Sequence, residues 1–297
     1  MTKTVFVTIA GRTNAGKSSL MNAMIGEKIA SVSNKPQTTR TRITGIKTVG
    51  DTQMVFIDTP GLHKPKNKLS DHMLNTVKES VTDMDAILFV MDCTRNISEQ
   101  EENLLMSLKK SKATVILVLN KIDLLTDKSK LVPIMADMNR RFSFKATIPI
   151  SVLEDDGVSL VEEEVCKLAV EAPHYFPDEK FTDQPEKVLA AEMIREKLLN
   201  ALNDEVPHGI AVAVERMEER DYKDILDIDA VIYCERESHK GIIIGKHGSM
   251  LKKIATQARQ DLESFFQIKV NLQCWIKVKE DWRNREGLIR NFGLSEQ

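Results

Sequence analysis

A glycine-rich loop near the start of the chain constrains the fold more than any other feature. Residues 11–18 read GRTNAGKS and fit the pattern GxxxxGKS. The apolar residues 5–10 precede the loop and a helix-like stretch, residues 18–25, follows it, which gives the order strand, loop, helix. In that order the backbone N–H groups of the loop converge on phosphate oxygens at the positive end of the helix. The sequence therefore predicts a phosphate-binding loop in an α/β domain.

The residues of this loop have separate predicted roles. Gly11 and Gly16 permit backbone conformations that are closed to other residues. Lys17 brings a positive charge to the terminal phosphates, and the Ser18 hydroxyl is placed to bind Mg²⁺. We expect the whole loop and one following residue to contact the nucleotide: Gly11, Arg12, Thr13, Asn14, Ala15, Gly16, Lys17, Ser18 and Ser19.

A second motif, Asp58-Thr59-Pro60-Gly61, follows the apolar residues 54–57. The Asp58 carboxylate is therefore predicted at the carboxyl end of a strand, where α/β sheets bind ligands, and it suits a magnesium site, usually through water. Gly61 is predicted to lie close to the γ-phosphate and to respond to its loss. Alone, these four residues could form an ordinary turn, but their place after the glycine-rich loop favours a nucleotide site.

A third motif, Asn120-Lys121-Ile122-Asp123, concerns the base of the nucleotide. It follows the apolar residues 114–119, again at a predicted strand end. The Asp123 carboxylate can accept two hydrogen bonds from N1 and N2 of guanine, whereas adenine would leave it unpaired. The motif therefore predicts GTP and GDP as ligands, with Asn120, Lys121 and Asp123 at the base.

The chain up to about residue 170 resembles the translation-factor-like branch of small GTPases through these three motifs. The switch I threonines of that branch fall on Thr38 and Thr39. The resemblance implies that one of them is the second magnesium ligand, and we favour Thr39. The guanine-supporting motif of the branch falls on Ser151 and Val152, where Val152 replaces the usual alanine.

The resemblance also implies GTP hydrolysis, with Lys17, Thr39 and Gly61 as catalytic residues. Ras-like proteins place a glutamine directly after this glycine to orient the attacking water. This chain has Leu62 there, so we expect slow intrinsic turnover. Asn14 matches the position that helps to bind K⁺ in related potassium-activated GTPases. An asparagine that merely tolerates an unusual backbone angle explains this position equally well.

Length and composition indicate two globular domains. At about 150 residues per domain, 297 residues give two. The net charge of −2 argues against general attraction to nucleic acid, so RNA binding would need a local basic patch. The four cysteines lie far apart without a CxxC pair, which favours reduced thiols in the cytoplasm. The first apolar stretch is too short for a signal peptide, and no apolar run approaches the ~20 residues of a membrane span.

Hydrophobic patterning predicts a mostly parallel six-stranded sheet in the first domain. The predicted strands lie near residues 4–10, 43–49, 53–58, 86–91, 114–119 and 146–150. The predicted helices lie near residues 17–25, 69–82, 98–110, 128–140 and 158–170. Three prolines among polar residues then predict an ordered linker over residues 171–185.

Beyond the linker the pattern changes. A helix is predicted over residues 186–203, and apolar and polar residues then alternate near 210–214, 226–232 and 268–278. The alternation predicts three strands with one buried face, and we expect the sheet to be antiparallel.

Between the second and third of these strands, Gly245-Lys246-His247-Gly248 precedes a basic helix-like segment. A GxxG loop between two helices resembles the KH module, in which the loop clamps the backbone of about four single-stranded nucleotides. No acidic residue occurs over residues 238–259, so the local charge attracts phosphate. The candidate RNA-binding residues are Lys240, Gly241, Ile244, Gly245, Lys246, His247, Gly248, Lys252 and Lys253.

A GTPase domain followed by a KH module resembles the Era family over nearly the whole chain. The resemblance implies a P-loop GTPase domain at residues 1–170, a linker at 171–185 and an α+β type II KH domain at 186–297. It implies binding of the single-stranded 3′ end of 16S rRNA and a role in assembly of the small (30S) ribosomal subunit. Peripheral attachment to the inner face of the cell membrane is a further expectation. An RNA-binding protein that holds nucleotide without turnover stays open as an alternative, because Leu62 is apolar.

Overall fold

The computed structural model describes residues 1–35, 38–62, 67–80, 84–109 and 113–294, apart from the side chain of Lys78. The chain forms two compact units. The first comprises Met1–Ile29, Thr39–Pro65 and Met73–Asp183, and the second comprises Ala30–Thr38, Lys66–His72 and Gln184–Gln297. The functional boundaries predicted at residues 170 and 186 stay predictions.

The first unit is built on one twisted sheet. Its strands are β1 (Lys3–Gly11), β2 (Ile43–Val49), β3 (Thr52–Asp58), β4 (Ala86–Asp92), β5 (Thr114–Asn120), β6 (Ala146–Pro149) and the short β7 (Val170–Glu171). The helices in this part of the chain are α1 (Lys17–Ile25), α2 (Lys68–Ser80), α3 (Glu99–Leu108), α4 (Leu131–Arg141) and α5 (Val158–Cys166). The strand order is β2-β3-β1-β4-β5-β6, with β2 antiparallel to β3 and the other pairs on this path parallel. The six predicted strands and the mostly parallel sheet are confirmed, but the predicted total of six is too low, because β7 joins this sheet beside β1 as a seventh strand.

One predicted helix in this unit is too long. The helix expected near residues 158–170 ends at Cys166, because β7 follows and pairs antiparallel with the start of β1. Residues 167–170 contain no glycine or proline that would end a helix, so only the pairing with β1 reveals the strand. Residues 81–82 and 110, at the ends of two other predicted helices, lie outside the described residues.

The predicted linker is hydrogen-bonded to the sheet along its length. The buried Gln53 side chain accepts hydrogen bonds from the backbone N–H groups of Tyr175 (2.8 Å) and Phe176 (3.0 Å). Further on, the N–H of Ile46 on β2 donates to the carbonyl of Phe181 at 2.9 Å. Because β2 is an edge strand, this pairing satisfies backbone groups that would otherwise face solvent. Residues 171–183 therefore belong structurally to the first unit.

The second unit contains a three-stranded sheet covered by helices. Its elements are α6 (Glu186–Ala201), β8 (Ala211–Glu219), β9 (Ile225–Cys234), α7 (Glu237–Ile244), α8 (Ser249–Phe266), β10 (Lys269–Val278) and α9 (Glu286–Asn291). Ile228 and Ile232 of β9 pack in one buried cluster with Leu198 of α6 and Leu262 of α8. This element order confirms the predicted KH architecture.

The prediction of an antiparallel sheet is wrong for one strand pair. The order is β10-β9-β8, with β8 antiparallel to β9 but β10 parallel to β9. Parallel neighbours need a long crossover connection, and α7 and α8 provide it. Alternation along β10 indicates only that one face is buried, so it could not distinguish the two directions.

Within the second unit, Ser31, Val32 and Thr38 are hydrogen-bonded to α6. The N–H of Val32 donates to Glu196 Oε2 at 2.8 Å. The Arg195 guanidinium, only 2% exposed, donates to the carbonyl of Thr38 and also binds Glu192. The buried charges of Arg195 and Glu196 are stabilised because the guanidinium has hydrogen-bond acceptors and the carboxylate has a hydrogen-bond donor.

The same helix is linked to α8 through Lys197, which also contacts Glu196. Lys197 Nζ lies 3.3 Å from Glu196 Oε1 and 2.6 Å from Asp261 Oδ2 on α8. Glu196 therefore binds both the backbone at Val32 and a lysine that holds α8.

Candidate functional sites

The phosphate-binding loop depends on glycines where it approaches other parts of the site. Gly16 lies at the start of α1 with a φ of 99°, and a Cβ there would come within 2.1 Å of Asn120 Nδ2. A Cβ on Gly61 would come within 2.5 Å of Thr13 Cγ2. No side chain fits at either position without displacing its neighbour. The first two motifs therefore meet at the loop, as predicted from their places at strand ends.

Three oxygen-bearing side chains converge beside the loop. Ser18 Oγ donates to Asp58 Oδ2 at 2.6 Å, and Thr39 Oγ1 lies 2.8 Å from Ser18 Oγ and 3.2 Å from the same carboxylate oxygen. The other oxygen of Asp58, Oδ1, is buried and has no hydrogen-bond partner among the residues that the structure describes. A hard cation such as Mg²⁺ prefers oxygen ligands of these kinds. The residues present therefore fit the predicted magnesium site.

The neighbouring threonine points elsewhere. The Thr38 hydroxyl donates to the carbonyl of Lys35 at 2.7 Å. The geometry therefore favours Thr39 over Thr38 as the switch I ligand, in line with the preference drawn from the resemblance.

Burial destabilises the charged forms of both Lys17 and Asp58. Desolvation lowers the pKa of Lys17 although Asp58 opposes the change. Desolvation raises the pKa of Asp58, and the charge of Lys17 and hydrogen bonds from Ser18 and Thr39 oppose it. Lys17 Nζ donates to the carbonyl of Arg12 at 3.1 Å. A bound anion beside Lys17 and a cation beside Asp58 would each stabilise the ionised form.

Leu62 is part of the core rather than of the polar site. Its N–H donates to the carbonyl of Gly11 at 3.2 Å, and its half-buried side chain packs against an apolar cluster that includes Ala10 and Ile87. The side chain has no polar group to orient water. An attacking water must therefore be held by other groups, as the sequence predicts.

Asn120 connects three parts of the base site. Its Nδ2 donates to the carbonyl of Ala15 at 2.8 Å, and its Oδ1 accepts hydrogen bonds from the N–H groups of Lys121 (2.8 Å) and Val152 (3.2 Å). Val152 contributes its backbone, which explains how valine can replace the usual alanine. The side chain is 3% exposed, so these bonds form away from water.

Asp123 is held in position by Ser151, whose Oγ donates to Asp123 Oδ1 at 2.6 Å. Ser151 is fully buried, and it also accepts a hydrogen bond from the N–H of Glu154 at 3.2 Å. A carboxylate has about four acceptor positions, so Asp123 retains capacity for two donors of a ligand. The residues predicted to recognise the base therefore lie together.

The sequence analysis missed Asp92, the last residue of β4. Its Oδ2 lies 2.8 Å from Nζ of Lys121. Like Asp58 and Asn120, Asp92 follows an apolar strand, and that shared position was the available signal.

The GxxG loop of the second unit has a strained turn with an exposed tip. Gly245 (φ 72°) and Gly248 (φ 77°) both have left-handed backbone, and a Cβ on Gly245 would lie 2.6 Å from Cβ of Met250. Lys246 and His247 between them are exposed. Glycine is needed at both ends for this turn, and the tip is open to a ligand.

Basic and apolar side chains flank this turn. Lys252 and Lys253 are exposed on the first turns of α8. Lys240 on α7 is partly exposed, and its Nζ lies 3.9 Å from Glu237 Oε2. Ile244 is half-buried directly before the loop. The predicted RNA-binding residues therefore lie on one loop and the two helices it joins.

Comparison with known proteins identifies the family. Residues 6–121 match the family described as 50S ribosome-binding GTPase, and residues 205–283 match the KH domain family. The chain is 49% identical over 297 residues to GTPase Era of Clostridioides difficile (strain 630), with 100% of both chains covered. The chain belongs to the Era family.

Era proteins are similar over the full length in both sequence and structure. GTPase Era of Ruminiclostridium cellulolyticum is 47% identical over 291 residues, covering 98% of this chain and 97% of that protein. A crystal structure of Era in complex with MgGDPNP and nucleotides 1506–1542 of 16S ribosomal RNA has a TM-score of 0.95 and 35% identity, with full coverage of both chains. An Aquifex aeolicus Era variant bound to GDP·AlF4⁻ also has a TM-score of 0.95 and 35% identity, with 99% and 100% covered.

Each helix of the described residues is too short or too polar to cross a lipid bilayer.

Proposed function

We propose that the protein binds and hydrolyses GTP and binds the single-stranded 3′ end of 16S rRNA during assembly of the small ribosomal subunit. The observation that carries this proposal is the presence of a guanine-nucleotide site and a GxxG loop in one chain of Era architecture. The Era protein crystallised with a GTP analogue and this rRNA segment is 35% identical over the full length. The 16S rRNA bound to that relative favours RNA of the small subunit, although the broader GTPase family is described as 50S ribosome-binding.

The nucleotide is assigned to residues 11–19, the motif at 58–61 and the base site at 120–123 and 151–152. Ser18, Thr39 and Asp58 are the residues that would hold Mg²⁺. When bound, the ion supplies positive charge to the phosphates. The GTPase function is assigned to residues 1–170 and RNA binding to residues 186–297, joined by 171–185. We further infer a cytoplasmic protein, and peripheral membrane attachment stays a prediction.

The paired threonines allow a matched test of the magnesium site. Thr39→Ala is expected to reduce GTP turnover by about 10–100-fold, because it removes a hydroxyl beside Ser18 and Asp58. Thr38→Ala is expected to change turnover by less than ~2-fold, since its hydroxyl donates to the carbonyls of Lys35 (2.7 Å) and Ser33 (3.4 Å) rather than to Ser18 or Asp58. Phosphate release at several Mg²⁺ concentrations measures both. Equal losses in the two variants would contradict the assignment.

Monovalent ions separate the two explanations of Asn14, whose φ is 63°. If Asn14 binds K⁺, phosphate release is faster in KCl than in NaCl, and we expect a difference of about 10-fold. Asn14→Gly is the informative variant, because glycine adopts this backbone angle but lacks the amide. We expect this variant to lose the KCl effect. Retention of the effect would leave Asn14 with only a conformational role.

The alternative of an RNA-binding protein without turnover is favoured by one observation, the packing of Leu62 into the core. The same phosphate-release assay decides between the two functions when 16S rRNA 3′-end RNA is added. Release above the protein-free rate in KCl supports the enzyme. Tight GTP binding with no release under either salt, with or without RNA, supports the alternative.

A further inference from the structure

The carboxylate of Asp92 is held by three donors at the edge of the base site. Asp92 ends β4 and lies opposite Asn120 in the parallel pairing with β5. Its Oδ2 is 2.8 Å from Lys121 Nζ, and its Oδ1 accepts from Thr94 N at 3.0 Å and Thr94 Oγ1 at 2.6 Å. The Asp92 side chain is 9% exposed and that of Lys121 28%. The pair is therefore shielded from water more than a surface ion pair.

Asp92 is ionised at neutral pH. Burial alone would raise the pKa of this carboxyl, but the hydrogen bonds from Lys121 and Thr94 outweigh burial and lower the pKa. Arg95 adds a second, more distant cation, with Nε 3.7 Å from Oδ2. The carboxylate is therefore available as a partner for Lys121 under ordinary conditions.

Lys121 is fixed at both ends of its side chain. Its backbone is left-handed, with a φ of 69°, and its N–H donates to Asn120 Oδ1 at 2.8 Å. Its amine is bound by Asp92. Its methylene chain is therefore held between these two points. Lys121 also lies in the motif whose Asn120 and Asp123 are assigned to the base. A lysine side chain normally loses considerable rotamer freedom when it is ordered.

We propose that Asp92 is a positioning residue for guanine nucleotides, which acts by holding the Lys121 side chain as a preformed wall of the base site. This inference rests on the proposed nucleotide-binding function. Because Lys121 is ordered before the nucleotide arrives, binding does not have to immobilise it. Releasing its amine should weaken binding of GDP and GTP alike, by about 3–10-fold. The hydrolytic step at the phosphates should keep its kcat, because Asp92 acts on the base side.

A double-mutant cycle tests this proposal with the full chain. Affinity for fluorescently labelled GDP is measured for Asp92→Asn, Lys121→Met and the combination. Lys121→Met keeps an apolar stem but removes the amine. We expect Asp92→Asn to weaken binding by about 3–10-fold alone and by less than ~2-fold in the Lys121→Met background. Arg95→Met is the matched control, because it removes the other cation near Asp92, and it should change affinity by less than ~2-fold.

Two outcomes would overturn the proposal. One is an equal loss from Asp92→Asn with and without Lys121→Met, and the other is a lower melting temperature with unchanged GDP affinity. If Asp92→Asn does not fold, Thr94→Val loosens the same carboxylate, and it should give a smaller loss that disappears in the Lys121→Met background. Failure of the unsubstituted protein to bind GDP would instead defeat the proposed function.

Discussion

Replacing Asp123 by Asn should exchange guanine for xanthine specificity. In the proposed base site the carboxylate would accept hydrogen bonds from N1 and N2 of guanine, whereas an asparagine amide would present a donor to the N2 group. Asn Oδ1 can still accept from Ser151, which leaves the NH₂ group directed at the ligand. We expect GTP affinity to fall by at least ~100-fold, because a buried donor of guanine loses its partner. Xanthine has a carbonyl oxygen at this position, so XTP should bind better than GTP to the variant.

The matched control for this exchange is Asp127→Asn. Asp127 is exposed and accepts hydrogen bonds from Ser129, so its substitution alters the same charge close in sequence. Its GTP affinity should stay within ~2-fold of the unsubstituted protein. Titration calorimetry with GTP and XTP measures both variants. Undiminished binding of GTP by Asp123→Asn would contradict the assignment of the base site.

Reversing the charge of the GxxG tip should abolish most RNA binding. Lys246→Asp/His247→Asp replaces two exposed residues, and aspartate tolerates the left-handed backbone of His247, whose φ is 52°. Binding of a 16S rRNA 3′-end oligonucleotide should weaken by about 100-fold at low salt, because the loop would repel phosphate. The slope of log affinity against log salt concentration should fall in magnitude by about one or more, because at least one phosphate contact is lost. GTP affinity should not change.

Gly287→Asp provides the charge control for this experiment. Gly287 is exposed, and a Cβ there meets no atom within 4 Å. This variant should retain RNA binding within ~3-fold. Substitution of Gly245 is less informative, since its Cβ would lie 2.6 Å from Cβ of Met250 and would disturb the fold. Unaltered RNA affinity in the tip variant, measured beside this control, would contradict the assigned RNA site.

The nucleotide site could be predicted from sequence because its chemistry lies at strand ends. Asp58 and Asn120 each follow an apolar strand, and a parallel sheet brings such ends to one edge. Asp92 occupies an equivalent place but belongs to none of the three motifs. Its partnership with Lys121 depends on which strands are neighbours, and periodicity does not contain that information.

The direction of β10 and the presence of the short strand β7 also could not be predicted from the sequence. The pattern along β10 is the same for parallel and antiparallel pairing, and the two-residue β7 is too short to show any period. The linker shows the same limit. Its prolines predict order, but its pairing with β2 depends on an edge strand more than a hundred residues earlier.

The hydrogen bonds of α6 have an energetic consequence for the second unit. Moving the segment that contains Val32 and Thr38 would break bonds at Glu196 and Arg195, and Glu196 also binds the lysine that holds α8. The free energy of rearranging this segment is therefore partly shared with the helix that begins at the GxxG loop. Should a ligand of either site prefer one arrangement of this segment, thermodynamic reciprocity would make the resulting changes in affinity at the two sites equal. RNA bound at the loop should accordingly regulate guanine-nucleotide affinity as strongly as the nucleotide regulates RNA.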